Sequence, residues 1–288
     1  MRVRLQIPGL KAGHTTLKEA LTGCTVILHD AGGPYAVQIV GGAAALRQAS
    51  LTDPFHSART AHGFFFTGGS GFGLGASTGV LDFLSKKGVG IRIGDMRIPS
   101  VPAAAIYDLR VGSSIWPLAE HGYQAASRAS EDVHVGRVGA GTGARVGKFL
   151  GLEHSAPGGF AVAQGEVSGV RIAAFAVVNA FGSVRDPESG SIVAGPEASL
   201  LGKAFNPVDS TTLALVVIDA AMDHLSLART ARIAQGAFYR VFSPAATQYD
   251  GDVLFVWAVG RNSAPDPLIT GIKAQSLLER AFLSAVNP

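Results

Sequence analysis

The sequence contains a single cysteine, Cys24, so it can form no internal disulfide and no thiolate metal cluster. Cys24 lies in an apolar run typical of a strand, and we expect its thiol to be buried and inert. Charge is also scarce, since charged residues make up 16% of the chain and hydrophobic residues 47%. This composition indicates a compact globular protein and, because so little polar material is available to cover its surface, predicts a homo-oligomer.

Clusters of basic residues and long apolar runs are missing as well. The net charge is +3, and the longest basic run is Lys86-Lys87. The sequence therefore has no electrostatic footprint for nucleic acid. No apolar run approaches the length of a membrane span, and the N-terminal residues lack the apolar segment of a signal peptide. We expect a cytoplasmic protein with no membrane partner.

Metal-binding and common hydrolase motifs are absent too. The 8 histidines are dispersed, without His-x-His or His-x-x-x-His spacing. No Gly-x-Ser-x-Gly elbow is present, which argues against a Ser-His-Asp hydrolase of the usual α/β type. We therefore predict neither a metal nor a cofactor.

One glycine-rich stretch, Gly71–Ala76, leaves a cofactor alternative open. It fits a loose dinucleotide fingerprint between a strand and a helix, and Asp95 lies about where a ribose-binding acid is found. The region that follows, Val89–Ile93, is short and broken by glycine, and no further βα repeats complete a doubly wound sheet. Close packing of backbone on backbone is favoured over a nicotinamide-binding enzyme.

The order of the elements predicts packed sheets covered by helices, in one domain of 288 residues. Two hairpins are expected, one turning at Asp30–Pro34 and one at Ser168-Gly169. Helices are predicted at 76–87, at 117–128, from Asp219 or Asp223 to Phe242, and at 268–286 after Asp266-Pro267. A further core strand is predicted at 253–259.

The most informative stretch is Asp209–Asp219. Its apolar run is rich in β-branched residues and predicts a strand buried on both faces, and Ser210, Thr211 and Thr212 stand at its start. The preceding Ser183–Asp209 is rich in glycine, proline, serine and charge. A flexible lead-in before a threonine suggests a nucleophile exposed by cutting the chain, although hydroxyl residues also suit the start of an ordinary strand.

Other polar residues each admit two interpretations. Asp250-Gly251-Asp252 is a common turn sequence, but it can also bring two carboxylates together and raise a pKa. Asn179 ends an apolar run, where it fits either structural bridging or an oxyanion donor. Alone, Lys148 indicates a solvated lysine and Tyr107 a core tyrosine.

Taken together, segments along nearly the whole chain resemble one family. It is the family of self-processing N-terminal-nucleophile hydrolases that includes L-aminopeptidase/D-esterase, β-peptidyl aminopeptidases and nylon-oligomer endohydrolases. The segments that carry the resemblance are Gly13-His14, Leu21–Val26, Thr67–Leu74, Pro102–Leu109, Val138–Gly143, Val177–Gly182, Ser210–Leu213 and Asp250–Asp252.

The resemblance implies a four-layer αββα sandwich, of the type shared with ornithine acetyltransferase, and cleavage into chains 1–210 and 211–288. It implies that Thr211 becomes the N-terminal nucleophile and that Asn179 is the asparagine of the oxyanion hole. Asp250 and Asp252 match the acidic pair near the nucleophile. The remaining polar site residues it implies are Lys148 and Tyr107.

The implied function is an amidohydrolase or aminopeptidase that acts on short peptides, amino-acid amides or ω-amino acid oligomers, as a tetramer or larger assembly. Two departures from the family pattern bear on cleavage. Ser210 stands where the family often has Asn or Gly, and Val217-Ile218-Asp219-Ala220 stands where Ala-Thr-Asp-Ala is usual. An acyltransferase of the ornithine acetyltransferase kind and an uncleaved, non-catalytic relative stay open as alternatives.

Overall fold

The computed structural model describes residues 1–53, 55–56, 60–197 and 210–287, without the side chain of Leu51. The final part of the predicted lead-in, residues 198–209, lies outside the described residues. The strands of the described part are β1 (Arg2–Arg4), β2 (Leu10–Leu17), β3 (Thr22–Ile39), β4 (Ala45–Arg47), β5 (Thr60–Thr67), β6 (Ile91–Ile93), β7 (Met96–Ile98), β8 (Ala103–Ala105), β9 (Asp132–His134), β10 (Arg145–Val146), β11 (Ala156–Pro157), β12 (Gly159–Val167), β13 (Val170–Val178), β14 (Ser183–Arg185), β15 (Ile192–Ala194), β16 (Leu213–Ile218), β17 (Phe242–Ser243) and β18 (Val253–Ala258). The α-helices are α1 (Ser70–Gly73), α2 (Ser77–Lys86), α3 (Ala119–Ser127), α4 (His224–Ala234), α5 (Gly236–Val241) and α6 (Pro267–Val286).

One long strand, β3, joins the two halves of the main sheet. The strand order is β12-β13-β16-β18-β3-β5-β8-β4, and β2 also pairs with β3. The first part of β3 pairs with β2 and β5, whereas its last part pairs with β18. Because the two parts of β3 pair with different strands, the halves of the sheet can face one another across a shared core.

Three apolar clusters define the layers. Helices α4, α5 and α6 pack against one face of the half formed by β12, β13, β16 and β18. The opposite face of that half meets the β3–β5–β8 half through a central cluster that includes Phe64, Phe175 and Phe255. Val80 of α2 and Ala125 of α3 cover the outer face of the second half, beside Cys24. The resulting order, helix–sheet–sheet–helix, confirms the predicted αββα sandwich.

The hairpin predicted at Asp30–Pro34 is wrong. β3 runs through this segment as one strand, with an irregularity in its pairing to β5 between Leu28 and Gly33. Gly32 adopts a positive φ of 61°. At Gly33 a side chain would collide with the carbonyl oxygen of Ala258. The glycines therefore allow the strand to bend and pack closely, instead of reversing it.

The first part of the predicted lead-in is also more regular than the sequence suggests. Strands β14 and β15 pair with each other, and β14 also pairs with β17.

The close packing expected of the glycine-rich stretch occurs at Gly73, where a side chain would meet the carbonyl of Gly68, but Gly71 and Gly75 face open space.

The local signals elsewhere predict the elements well. The β12–β13 hairpin turns at Ser168-Gly169, and all six residues of β16 are buried. The carboxylate of Asp266 caps α6 by accepting a hydrogen bond of 2.7 Å from the N–H of Leu268. Among the described helices, none combines the length and apolar composition that a bilayer span requires.

Candidate active site

Three strand ends converge at one edge of the sheet. β13 is antiparallel to β16, with Val177 opposite Leu213, and β16 is parallel to β18, with Leu213 opposite Val253. The end of β13 therefore lies beside the beginnings of β16 and β18. Asn179 follows β13, Thr211 precedes β16, and Asp250–Asp252 precede β18. Residues distant in sequence are brought together by this register.

Backbone hydrogen bonds hold Thr211 in place on both sides. Its N–H donates to the carbonyl of Asn179 at 3.0 Å, and the N–H of Ser210 donates to the carbonyl of Tyr249 at 2.9 Å. The carbonyl of Ser210 accepts a hydrogen bond of 2.6 Å from the N–H of Gly251. The peptide bond between Ser210 and Thr211 is thus fixed between two neighbouring segments.

The hydroxyl of Thr211 lies against the carbonyl of the bond that precedes it. Thr211 Oγ donates to the carbonyl oxygen of Ser210 at 2.6 Å. Only 4% of Thr211 and 1% of Ser210 is exposed. In the continuous chain, the group best placed to meet this hydroxyl is therefore the chain's own carbonyl.

The two carboxylates expected beside Thr211 are buried there. Asp250 accepts a hydrogen bond of 3.1 Å from the N–H of Phe181 through Oδ1. Its Oδ2 accepts from the N–H of Thr247 at 3.0 Å and from the Thr247 hydroxyl at 2.7 Å. Asp252 Oδ1 accepts a hydrogen bond of 2.6 Å from the N–H of Thr212. The segment is not merely an exposed turn, because it places both acids within the core.

The environment favours a protonated Asp252. Burial raises the pKa of its carboxyl well above the usual value, and the neighbouring charge of Asp250 raises it further. Hydrogen bonds from the N–H groups of Thr212 and Ala246, and the positive charge of Lys148, act in the opposite direction. Asp252 is therefore suited to hold and release a proton next to Thr211.

Lys148 and Asn179 form a buried polar pair at the same place. Lys148 Nζ donates to Asn179 Oδ1 at 3.0 Å, and the N–H of Arg145 donates to the same oxygen at 3.0 Å. Asn179 Nδ2 donates to the backbone carbonyl of Tyr107 at 3.2 Å. In the continuous chain the Asn179 amide thus fixes its neighbours, and its action on an oxyanion stays a prediction.

The turn before Lys148 explains why this lysine points inward. Gly147 has a φ of 70°, and the N–H groups of Gly147 and Lys148 each donate at 2.9 Å to the carbonyls of Gly182 and Phe181. These bonds attach the segment to the chain just after Asn179. Lys148 is 1% exposed, which differs from the solvated lysine that its sequence context alone indicates.

Tyr107 reaches the group through its backbone, and its side chain is half-buried. The next residue, Asp108, is buried and accepts a hydrogen bond of 2.7 Å from the N–H of Gly69. Burial raises the pKa of Asp108, and the Thr22 side chain, the Gly69 N–H and the charge of Lys148 lower it. Asp108 is thus an acid of this region that the sequence reasoning missed.

Two further groups were also missed, namely the Thr247 side chain and the Gly251 N–H. The spacing of Thr247 three residues before Asp250 is a usable local signal, since such pairs often hydrogen-bond within a turn. A backbone N–H has no such signature in a sequence.

Comparison with known proteins identifies the family to which this chain belongs. The model of peptidase family S58 matches residues 5–287. The chain belongs to peptidase family S58. It is therefore a hydrolase of amide or peptide bonds, and the resemblance seen in the sequence is confirmed.

Relatives of this S58 peptidase include an uncharacterised aminopeptidase of Mycobacterium tuberculosis, 34% identical over 286 residues, with 92% of this chain and 80% of that protein covered. A 6-aminohexanoate-oligomer endohydrolase of Paenarthrobacter ureafaciens is 30% identical over 276 residues, with 88% and 74% covered.

Solved structures share the fold. The β-aminopeptidase of a Burkholderia species has a TM-score of 0.72 at 18% identity, with 99% of this chain and 88% of that chain covered. The L-aminopeptidase D-Ala-esterase/amidase of Ochrobactrum anthropi, described as a variant of the Ntn hydrolase fold, has a TM-score of 0.71 at 16% identity, with 98% and 86% covered.

Proposed function

We propose that the protein cuts itself between Ser210 and Thr211, and that the released Thr211 is the nucleophile of an aminopeptidase or amidase. One observation carries the proposal: the Thr211 hydroxyl lies 2.6 Å from the carbonyl oxygen of the bond to be cut, among buried Lys148, Asp250 and Asp252. This contact keeps the hydroxyl beside the carbonyl group whose carbon it has to attack, and such proximity favours intramolecular attack.

Self-cleavage would proceed by an acyl shift. Thr211 Oγ attacks the carbonyl carbon of Ser210, the C–N bond to Thr211 breaks, and an ester joins Ser210 to the hydroxyl. Water then hydrolyses the ester, which leaves a carboxylate on Ser210 and a free amine on Thr211. Asp252, whose pKa is raised by burial and by Asp250, can supply the proton that the leaving nitrogen takes up.

The freed amine provides what a threonine hydroxyl needs, namely a base beside it. The Thr211 nitrogen already faces the carbonyl of Asn179 at 3.0 Å, which can orient the amine after the cut. The hydroxyl then attacks the substrate carbonyl, an acyl-enzyme forms, and water releases it. We propose that the Asn179 amide donates a hydrogen bond to the oxyanion, that Lys148 balances the charge, and that Tyr107 positions the substrate.

The names of the relatives and the proposed chemistry support a substrate class. The relatives bear the names aminopeptidase and 6-aminohexanoate-oligomer endohydrolase. We therefore propose short peptides, amino-acid amides or ω-amino acid oligomers as substrates of this protein.

The test compares wild type with Thr211→Ala on aminoacyl p-nitroanilides and 6-aminohexanoate oligomers. Thr78→Ala is the matched control, because it removes an exposed threonine hydroxyl on α2. We expect hydrolysis by wild type and the control, and none by Thr211→Ala. Hydrolysis by Thr211→Ala at the wild-type rate would place the nucleophile elsewhere.

Adding amines to the same assay separates the remaining alternatives. Transfer of the acyl group to an amine in preference to water would favour an acyltransferase. A wild-type protein that stays uncut and inactive on every substrate would favour the non-catalytic relative.

We also propose that the cleaved protomers assemble into a tetramer or larger homo-oligomer. The hairpin of β6 and β7 supports this, because its residues Ile93 and Met96 are 60% and 66% exposed. Light scattering after size exclusion tests it, and a monomer at micromolar concentration would contradict it.

A further inference from the structure

We propose that the backbone N–H of Gly251 is the oxyanion donor of self-cleavage, and that Gly251 must lack a side chain because the Thr211 hydroxyl occupies that space. This inference rests on the proposed function, and it adds a catalytic group that the sequence reasoning does not name.

The carbonyl of the bond to be cut already accepts a hydrogen bond from the Gly251 N–H. Gly251 N lies 2.6 Å from the carbonyl oxygen of Ser210, slightly shorter than the usual range for N–H···O contacts. That oxygen also accepts from Thr211 Oγ at 2.6 Å. When the hydroxyl attacks, negative charge develops on this oxygen, and a donor already aimed at it stabilises that charge.

Neighbouring donors in the described part of the chain have other acceptors. The Phe181 N–H donates to Asp250, and the Thr212 N–H donates to Asp252. The Asn179 side-chain amide donates to the carbonyl of Tyr107. The Gly251 N–H, in contrast, already donates to the Ser210 carbonyl in the continuous chain.

The donor is rigidly held. Asp250, just before Gly251, donates its own N–H to the carbonyl of Thr247 at 3.1 Å and accepts three hydrogen bonds through its carboxylate. Two residues after Gly251, the N–H of Val253 donates to the carbonyl of Thr212 at 3.0 Å. A donor fixed on both sides requires little reorganisation when charge develops.

Space is the second, independent observation. A Cβ built on Gly251 would lie 2.5 Å from Thr211 Oγ and 2.9 Å from the carbonyl oxygen of Ala43. Both distances are too short for a real Cβ, so the Thr211 side chain would have to move and the backbone at Ala43 would have to shift. Rotation of that side chain would remove the hydroxyl from the Ser210 carbonyl, so even alanine at residue 251 should block the cut.

The Gly251 N–H contributes to the attack of Thr211 on the Ser210 carbonyl. The bond from Thr211 Oγ to the Ser210 carbonyl carbon forms, and the hydroxyl proton passes to the buried carboxyl pair of Asp250 and Asp252, which can return a proton to the nitrogen. The carbonyl oxygen becomes an oxyanion bonded to the Gly251 N–H. On collapse the C–N bond breaks, the nitrogen takes up a proton, and the carbonyl reforms as an ester.

The test replaces the Gly251 N–H with oxygen. Cell-free translation with glycolic acid at residue 251 gives an ester that lacks this donor and adds no atom to the space around Thr211. Glycolic acid at residue 88 is the matched control, because exposed Gly88 also donates its N–H, to the carbonyl of Ser85 at 2.9 Å. Intact mass against time gives the rate of cutting at 210–211, and circular dichroism checks the fold.

We expect the ester at residue 251 to slow cutting by about 10²–10³-fold, the usual effect of losing one oxyanion donor. The ester at residue 88 should cut at the wild-type rate. Equal rates for the folded residue-251 ester and wild type would overturn the inference while leaving Thr211 as the nucleophile.

A second variant decides the matter if the ester does not fold. Gly251→Ala should remain uncut, whereas Gly75→Ala, at a glycine facing open space, should be cut normally. Cutting of Gly251→Ala at the wild-type rate would overturn the inference. A wild-type chain that never yields a fragment starting at Thr211 would overturn the proposed function and this inference together.

Discussion

The ammonium group of Lys148 donates a hydrogen bond of 3.0 Å to the side-chain oxygen of Asn179, and both residues are buried. Asn179 in turn accepts the N–H of Thr211 through its backbone carbonyl. The cation is therefore linked through a single residue to Thr211, the proposed nucleophile, and it can balance negative charge that develops there.

Replacing Lys148 with methionine should keep most of the side-chain volume and remove the charge and the donor. We expect amide hydrolysis to fall by about 10²-fold or more, the usual range for loss of a positioned polar catalytic group. Steady-state kinetics on an aminoacyl p-nitroanilide measures the effect. Lys87→Met, at an exposed lysine, should be unchanged. A Lys148→Met enzyme with wild-type kcat would remove this residue from the mechanism.

The raised pKa of Asp252 predicts a pH dependence of stability. Because the folded chain holds the proton of Asp252 to a higher pH than the unfolded chain does, this residue stabilises the fold most below its unfolded pKa of about 3.9. That contribution is lost as the pH rises through the folded pKa. Asp252→Asn, which has no proton to lose there, should therefore gain stability relative to its parent as the pH rises.

Urea unfolding in the uncut Thr211→Ala background measures this difference from about pH 4 to about pH 8. Asp95→Asn, which removes an exposed carboxylate, is the matched control with which the rise for Asp252→Asn is compared. A difference for Asp252→Asn that stays constant, or that falls with pH, would contradict the assigned direction of the pKa shift.

Phe255 should be a major source of stability. It lies on β18 between the two sheet halves, with its ring centroid 5.0 Å from that of Phe64. Truncation leaves a cavity that this rigid core cannot close, so Phe255→Ala should lower the free energy of unfolding by about 3–5 kcal/mol. Phe72→Ala is the control, because Phe72 is 63% exposed, and its effect should be below about 1 kcal/mol. Equal effects of the two substitutions would contradict the described core.

Cys24 should be inert in the folded protein. Burial raises the pKa of its thiol to about 12, so almost no thiolate exists at neutral pH. Iodoacetamide should leave both the native protein and its activity unchanged, and mass spectrometry should detect one alkylation after denaturation. Inhibition of the native enzyme by the reagent would show that the thiol is accessible.

The sequence predicts local elements better than it predicts their neighbours. The apolar composition of β16 and the Asp266-Pro267 start of α6 are local signals, and both elements form as expected. The turn predicted at Asp30–Pro34 fails because Gly33 packs against the Ala258 carbonyl, a contact between residues far apart in the chain.

The candidate site depends on such distant contacts throughout. No local pattern brings Asn179, Thr211 and Asp250 together, because their meeting follows from the register of three strands. The family resemblance supplied those residues. It did not supply the Gly251 N–H or the buried position of Asp108, since a backbone donor leaves no sequence signature and burial depends on the whole fold.

The most direct test of the central claim is the intact mass of the purified protein, combined with N-terminal sequencing of its fragments. We predict two chains, residues 1–210 and 211–288, the smaller beginning with Thr211, and one uncut chain for Thr211→Ala. A wild-type preparation that remains a single species of 29.6 kDa, or that is cut at another bond, would contradict the account.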